Sequence, residues 1–179
     1  MTISDYIGRT ICSRFPKAKK KLQTVYSGCD LQAYHPIWST AAKNTRARLR
    51  KKYGVKSRKV ILFVGRLSDK KGPHLLIKAM RQVLKKHPNA VLMIVGGKSF
   101  SDNSLNSYVR YLLKLAKPLG KKVIFTKYIP AWKINKQYLV GDLFVCSSVW
   151  QEPLARVHYE AMGLDCQLSL PIVAGMQRL

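Results

Sequence analysis

The chain is predicted to form a doubly wound α/β domain around a mostly parallel sheet. Residues 60–64 (VILFV) and 91–95 (VLMIV) are unbroken apolar runs of strand length, the pattern of strands covered on both faces. Between them Leu75, Leu76, Ala79, Met80, Val83 and Leu84 recur at helical spacing and define one apolar helix face. Strand, loop and helix then repeat in that order, which makes the connections crossovers and the sheet parallel.

Residues 4–14 read as a short helix capped by Ser4 and stopped before Pro16. The basic run 17–21 follows, then LQTVYSG as a short strand ending at Gly28, a polar-aromatic loop (CDLQAYHP), and a basic helix over 41–53 closed by Gly54. From Lys59 the pattern is regular. The first apolar run ends at Gly65, Pro73 opens a helix that Pro88 closes, and the second run ends at Gly96-Gly97. Leu105, Tyr108, Val109, Leu112 and Ala116 mark a helix ending near Gly120; 123–125 is a strand, 132–140 a short helix and 143–146 a fourth strand. In such sheets ligands bind beyond the carboxyl ends of the strands.

With 179 residues, 47% of them apolar, the chain can bury one core and is not a disordered basic tail. Its 33 Lys+Arg against 8 Asp+Glu, formally +25, suit polyanionic partners: nucleic acid, anionic lipid or phosphorylated small molecules. Cys12, Cys29, Cys146 and Cys166 are far apart in sequence, which signals neither a zinc site nor a disulfide framework and reads as four free thiols. The N-terminus lacks an apolar signal core and no apolar run approaches the ~20 residues of a bilayer span, so a cytoplasmic location is expected.

Against this charge, Glu152 and Glu160 are the chain's two glutamates, eight positions apart in WQEPLARVHYEAM. With a helix beginning near Ala155, Glu152 lies in the loop before it and Glu160 inside it. Either they are solvated helix glutamates, or they border one ligand at a helix N-terminus, where free amides suit phosphate and carboxylates suit the O–H donors of a diol. In GRLSDKKG, Gly65 lets the backbone turn close to a ligand, and Arg66 and Lys71 are cations suited to a pyrophosphate or simply surface charge. GGKS at 96–99 fails as a P-loop because the required first glycine falls on Leu92. His35, His74, His87 and His158 are scattered and are taken as surface or satisfied residues; neither a catalytic triad nor a metal site is expected.

Together, GRLSDKKG and EPLARVHYE, in this order and with this spacing, resemble the donor-binding, C-terminal domain of the retaining glycosyltransferases of family 4, which have the GT-B architecture. YSGCD (26–30) is similar to that family's YNGVD, and GDLFVCSSVWQEP to the segment leading into its E-x7-E motif. The wording around SSVWQEP is nearest to spore-coat-associated members. The resemblance covers residues 2–162 and implies a Rossmann-like half of a GT-B enzyme, with residues 1–22 a remnant helix of the N-terminal domain plus a basic linker, and 23–179 an incomplete nucleotide-sugar domain.

The resemblance also implies roles. Arg66 and Lys71 match residues that hold the donor diphosphate, Glu152 the catalytic-site glutamate facing the donor sugar, and Glu160 the one bonding the ribose. Leu154, Ala155 and Arg156 match backbone that approaches sugar and phosphate, and Ile129 lies where the base is held. The family's usual phenylalanine and glycine are here Leu154 and Ala155, and a usual glycine is Lys127. No cofactor beyond the donor is implied, and the acceptor is open. After Met162 the chain reads GLDCQLS before LPIVA (170–174) resumes the family pattern, which a truncation, an altered reading frame or a short variant would each produce. The expected function is donor binding for retaining transfer, inactive in isolation, with a partner supplying the other domain. The alternatives are a basic module on an anionic surface or polymer, nucleic acid being the weaker candidate, and a fragment without function.

Overall fold

Lys59–Val64 (β1) and Ala90–Val95 (β2) pair in parallel from Lys59 opposite Ala90 to Val64 opposite Val95. Val123–Phe125 (β3) adds to β2, Leu143–Val145 (β4) to the other side of β1, and Gln167–Ser169 (β5) to β4, all in parallel. The sheet order is β3-β2-β1-β4-β5. These facts come from a computed structural model that describes residues 1–28, 30, 32, 34–99, 102–164 and 167–169. Cys29, Cys166 and the LPIVA stretch lie outside the described residues.

Six helices are described: Asp5–Arg14 (α1), Thr40–Lys52 (α2), Pro73–Lys86 (α3), Ser107–Ala116 (α4), Ala131–Tyr138 (α5) and Arg156–Met162 (α6). Their starts are locally encoded. Ser4, Ser39 and Asn106 each accept a bond from the amide three residues on, at 3.4, 3.2 and 2.8 Å, satisfying a donor the first turn leaves over. Pro73 opens α3 where no intrahelical N–H is needed.

Alternate residues of each strand enter opposite cores. Val60, Leu62 and Val64 with Val91, Met93 and Val95 pack under α2, α5 and α6 against Leu49, Tyr138, Phe144 and Ala161. Phe63, Leu92 and Ile94 face the other way onto Ile77 and Met80 of α3 and Val109 and Leu112 of α4. Burial on both faces explains the uninterrupted apolar runs, each large side chain contributing about 1.5–3 kcal/mol of transfer free energy.

One expectation is corrected here. LQTVYSG is not a strand: Thr24 alone makes an isolated parallel bridge to Thr2, because strand propensity needs a neighbouring edge and this segment meets one only there. The basic helix α2 packs into the fold through two of its arginines. Arg46 reaches the carbonyls of Leu139 and Gly141 at 2.6 and 2.7 Å and Asp142 at 2.5 Å, and Arg50, 8% exposed, donates to Val140 O and Asp142. Asp142 also accepts from Val60 N at 2.7 Å. Burial would raise its carboxyl, but the Val60 amide and the two guanidiniums hold it below the usual range.

Candidate functional site

Because β2 and β4 flank β1 while the chain runs β1-β2-β3 to one side and returns with β4 on the other, the order in which strands are added reverses at β1/β4. Open α/β sheets bind ligands at such a point. Beyond these strand ends lies a cavity of about 370 Å³. Its lining includes Gly65 and Arg66 after β1, Gly96 and Gly97 after β2, Tyr128 and Ile129 after β3, and Leu154, Ala155, Arg156, Val157 and Glu160 around the start of α6.

Glycines set its floor. Gly96 has φ +148°, and a Cβ there would stand 1.9 Å from Gly65 O; the tops of β1 and β2 therefore touch backbone to backbone. Gly72, at φ +68°, would bring a Cβ 2.0 Å from Ser147 O. That contact, with Val149 N donating to Lys70 O at 2.9 Å and Ser147 Oγ to Lys71 O at 3.0 Å, stitches the loop after β1 to the loop after β4. Two segments some eighty residues apart in sequence thus form one wall.

The chosen residues Gly65, Arg66, Lys71, Ile129, Leu154, Ala155, Arg156 and Glu160 all line the cavity. Glu152 does not; it lies behind the wall, 4% exposed. Its Oε2 accepts from Lys71 Nζ at 2.7 Å, Trp150 Nε1 at 2.9 Å and Ser148 Oγ at 3.0 Å. Lys70 turns the other way and places its ammonium 5.4 Å from the Trp150 ring centroid. Glu160 accepts from Tyr138 Oη at 2.7 Å, so a fully buried tyrosine on α5 orients it.

Trp150, Ser148 and Tyr138 are site residues that the sequence did not single out. Trp150 and Ser148 adjoin the glutamate motif, but Tyr138 precedes Glu160 by 22 positions with no periodic signal. Reading every histidine as surface or satisfied is also corrected. His158 is 1% exposed and its Nε2 has no hydrogen-bond partner. Burial pushes the imidazole down to about 4, Glu152 opposing and Lys71 reinforcing the shift.

Chemically, the cavity offers Arg66 and Arg156 as exposed guanidiniums and Lys71 as an ammonium shared with a buried carboxylate. α6 (Arg156–Met162) follows Ala155, which provides no side-chain cap. Among the described residues no three of His, Cys, Asp and Glu converge as a metal site.

A parallel sheet with its cavity at the strand reversal, walled by glycines, cations and one oriented carboxylate, is a Rossmann-like α/β domain, the fold shared with solved glycosyltransferases of the GT-B type. More specifically, the chain belongs to the group 1 glycosyl transferases, whose family model matches residues 45–175. It is 55% identical over 167 residues to YtcC of Bacillus subtilis, which carries a glycosyltransferase name, covering 93% of this chain and 41% of that protein. To spore coat protein SA of the same organism it is 47% identical over 173 residues, covering 97% and 45%. The chain thus spans less than half the length of these relatives. Among solved structures, HepE of Anabaena in complex with UDP and glucose superposes with TM-score 0.78 at 26% identity, covering 97% of this chain and 44% of that one. Among the described residues no helix is long and apolar enough to cross a membrane.

Proposed function

We propose that this chain is the donor domain of a retaining glycosyltransferase and binds a nucleotide-diphosphate sugar. The observation that carries this reading is the convergence, in one cavity, of the cations Arg66 and Lys71 with Glu160. HepE's complex with UDP and glucose supports it. Arg66 and Lys71 take the diphosphate and neutralise the charge it gains as its bond to the sugar breaks, without a bound metal. Tyr138 leaves Glu160 one carboxylate oxygen for the ribose hydroxyls, and Ile129 walls the base.

Glu152 is assigned to the donor sugar. Lys71 covers it, so donor phosphate competes for Lys71 and opens the way to the carboxylate. Transfer also needs an acceptor oriented over the sugar, an arrangement worth ~7–11 kcal/mol of barrier. The 179-residue chain by itself is therefore proposed to bind donor without transferring it, the other wall coming from a partner or further sequence. A cytoplasmic location is proposed with it, and the likeness to spore coat protein SA suggests a role in spore coat formation. The polyanion-module alternative is weakened because Arg46 and Arg50 of its basic cluster are engaged inside the fold.

Titration calorimetry with UDP, GDP and their sugars tests the reading. Arg66→Ala should lose about 1.5–3 kcal/mol of nucleotide affinity. Glu160→Ala should weaken nucleotide and nucleotide sugar alike, and Glu152→Gln mainly the sugar-bearing ligand. A parent chain that binds none of them refutes the proposal, and equal losses of free nucleotide in both glutamate variants refute the division of roles.

A further inference from the structure

Lys127, two residues past the end of β3, has φ +66° and is the non-glycine residue in the left-handed region among the described residues. A lysine is strained there where a glycine would not be. The conformation is imposed from outside: the Lys127 carbonyl accepts from Gly96 N at 3.2 Å and from Thr126 Oγ1 at 3.0 Å, which ties the peptide to the glycine that floors the cavity. Its side chain is exposed and forms no hydrogen bond or ion pair with a described residue. The two residues that follow, Tyr128 and Ile129, line the cavity. The strain is therefore kept while the side chain contributes no contact to the fold, which points to a ligand.

Position along the sheet says which part of a ligand. Strand order β3-β2-β1-β4 puts Lys71 at the β1/β4 end of the cavity and Tyr128 and Ile129, which follow Lys127, at the β3 end, with Gly96 between them. A nucleotide with its phosphates on Arg66 and Lys71 extends its base toward β3. We propose that Lys127 reads the base: its ammonium donates to a ring carbonyl, O4 of uracil or O6 of guanine, which adenine lacks, presenting an amino group there instead. This rests on the nucleotide reading above and adds base selection to it.

The test measures UDP, GDP and ADP affinities by calorimetry, and thermal midpoints, for the parent, Lys127→Gly and Lys127→Met. The parent should prefer UDP or GDP over ADP by about fivefold or more, as one charge-assisted hydrogen bond at an exposed position allows. Lys127→Gly should melt higher, because the strain is relieved, yet lose that preference while its ADP affinity stays unchanged. Lys127→Met should lose the preference without melting higher. Base preference that survives in both variants, or equal weakening of all three nucleotides, overturns the assignment while leaving the nucleotide site standing. A parent that binds no nucleotide overturns the site itself and this inference with it.

Discussion

Replacing His158 by leucine should flatten the acid side of the chain's stability profile. The folded imidazole is pushed from 6.5 down to about 4, first by burial, with Lys71 adding to the effect and Glu152 opposing it. As pH falls, the unfolded chain takes a proton near 6.5 while the folded chain stays neutral until about 4. The unfolded state thus binds more protons in that window, so the associated stability is present above pH 6.5 and is lost progressively toward pH 4. Proton linkage puts the loss at about 0.8 kcal/mol at pH 6 and about 2 kcal/mol at pH 5. Leucine cannot titrate, and it removes the unpartnered Nε2, so the variant should be at least as stable as the parent near neutrality, by up to about 3 kcal/mol. Urea unfolding of both chains between about pH 7 and pH 5, at fixed ionic strength, gives the difference directly, because the other titrating groups cancel. The variant's advantage should grow by about 2 kcal/mol across the window. Parallel profiles would refute the reasoning and place His158 in contact with solvent or a proton acceptor.

Three further outcomes follow from the geometry. Asp142→Ala leaves the guanidiniums of Arg46 and Arg50 without their carboxylate and should lower the denaturant midpoint by the equivalent of about 2–3 kcal/mol; a midpoint like the parent's would show that the carbonyl contacts suffice. Gly96→Ala must place a Cβ 1.9 Å from Gly65 O at φ +148°, so it should cost about 3 kcal/mol or more and abolish nucleotide binding; normal binding would mean that the floor is pliable. Lys71→Met strands the Glu152 carboxylate and should cost about 3 kcal/mol, while Lys71→Met with Glu152→Gln should recover most of the stability but not the nucleotide affinity. Additive stability losses in that double-mutant cycle would deny the Lys71–Glu152 coupling.

The elements and the location of the site were written in local sequence. β1 and β2 could be read because a parallel strand covered on both faces must be apolar at every position, α1 because its Ser4 cap lies within three positions of the amide it satisfies, and α3 and α4 because their apolar residues recur at helical spacing. The strand ends, with Gly65, Gly96 and the Glu152–Glu160 stretch, marked the cavity because this sheet class binds at that edge. What no local pattern carries is which distant group each charge meets. Arg46 and Asp142 meet across 96 positions, Lys71 and Glu152 across 81, and Tyr138 and Glu160 from different helices. These pairings exist only once β4 has been laid beside β1. That return of the chain made the basic helix α2 a clamp on Asp142, put Glu152 behind Lys71, and buried His158 with an unpaired nitrogen. Burial and partner choice depend on what the rest of the chain excludes from water, so the tertiary structure alone decided them.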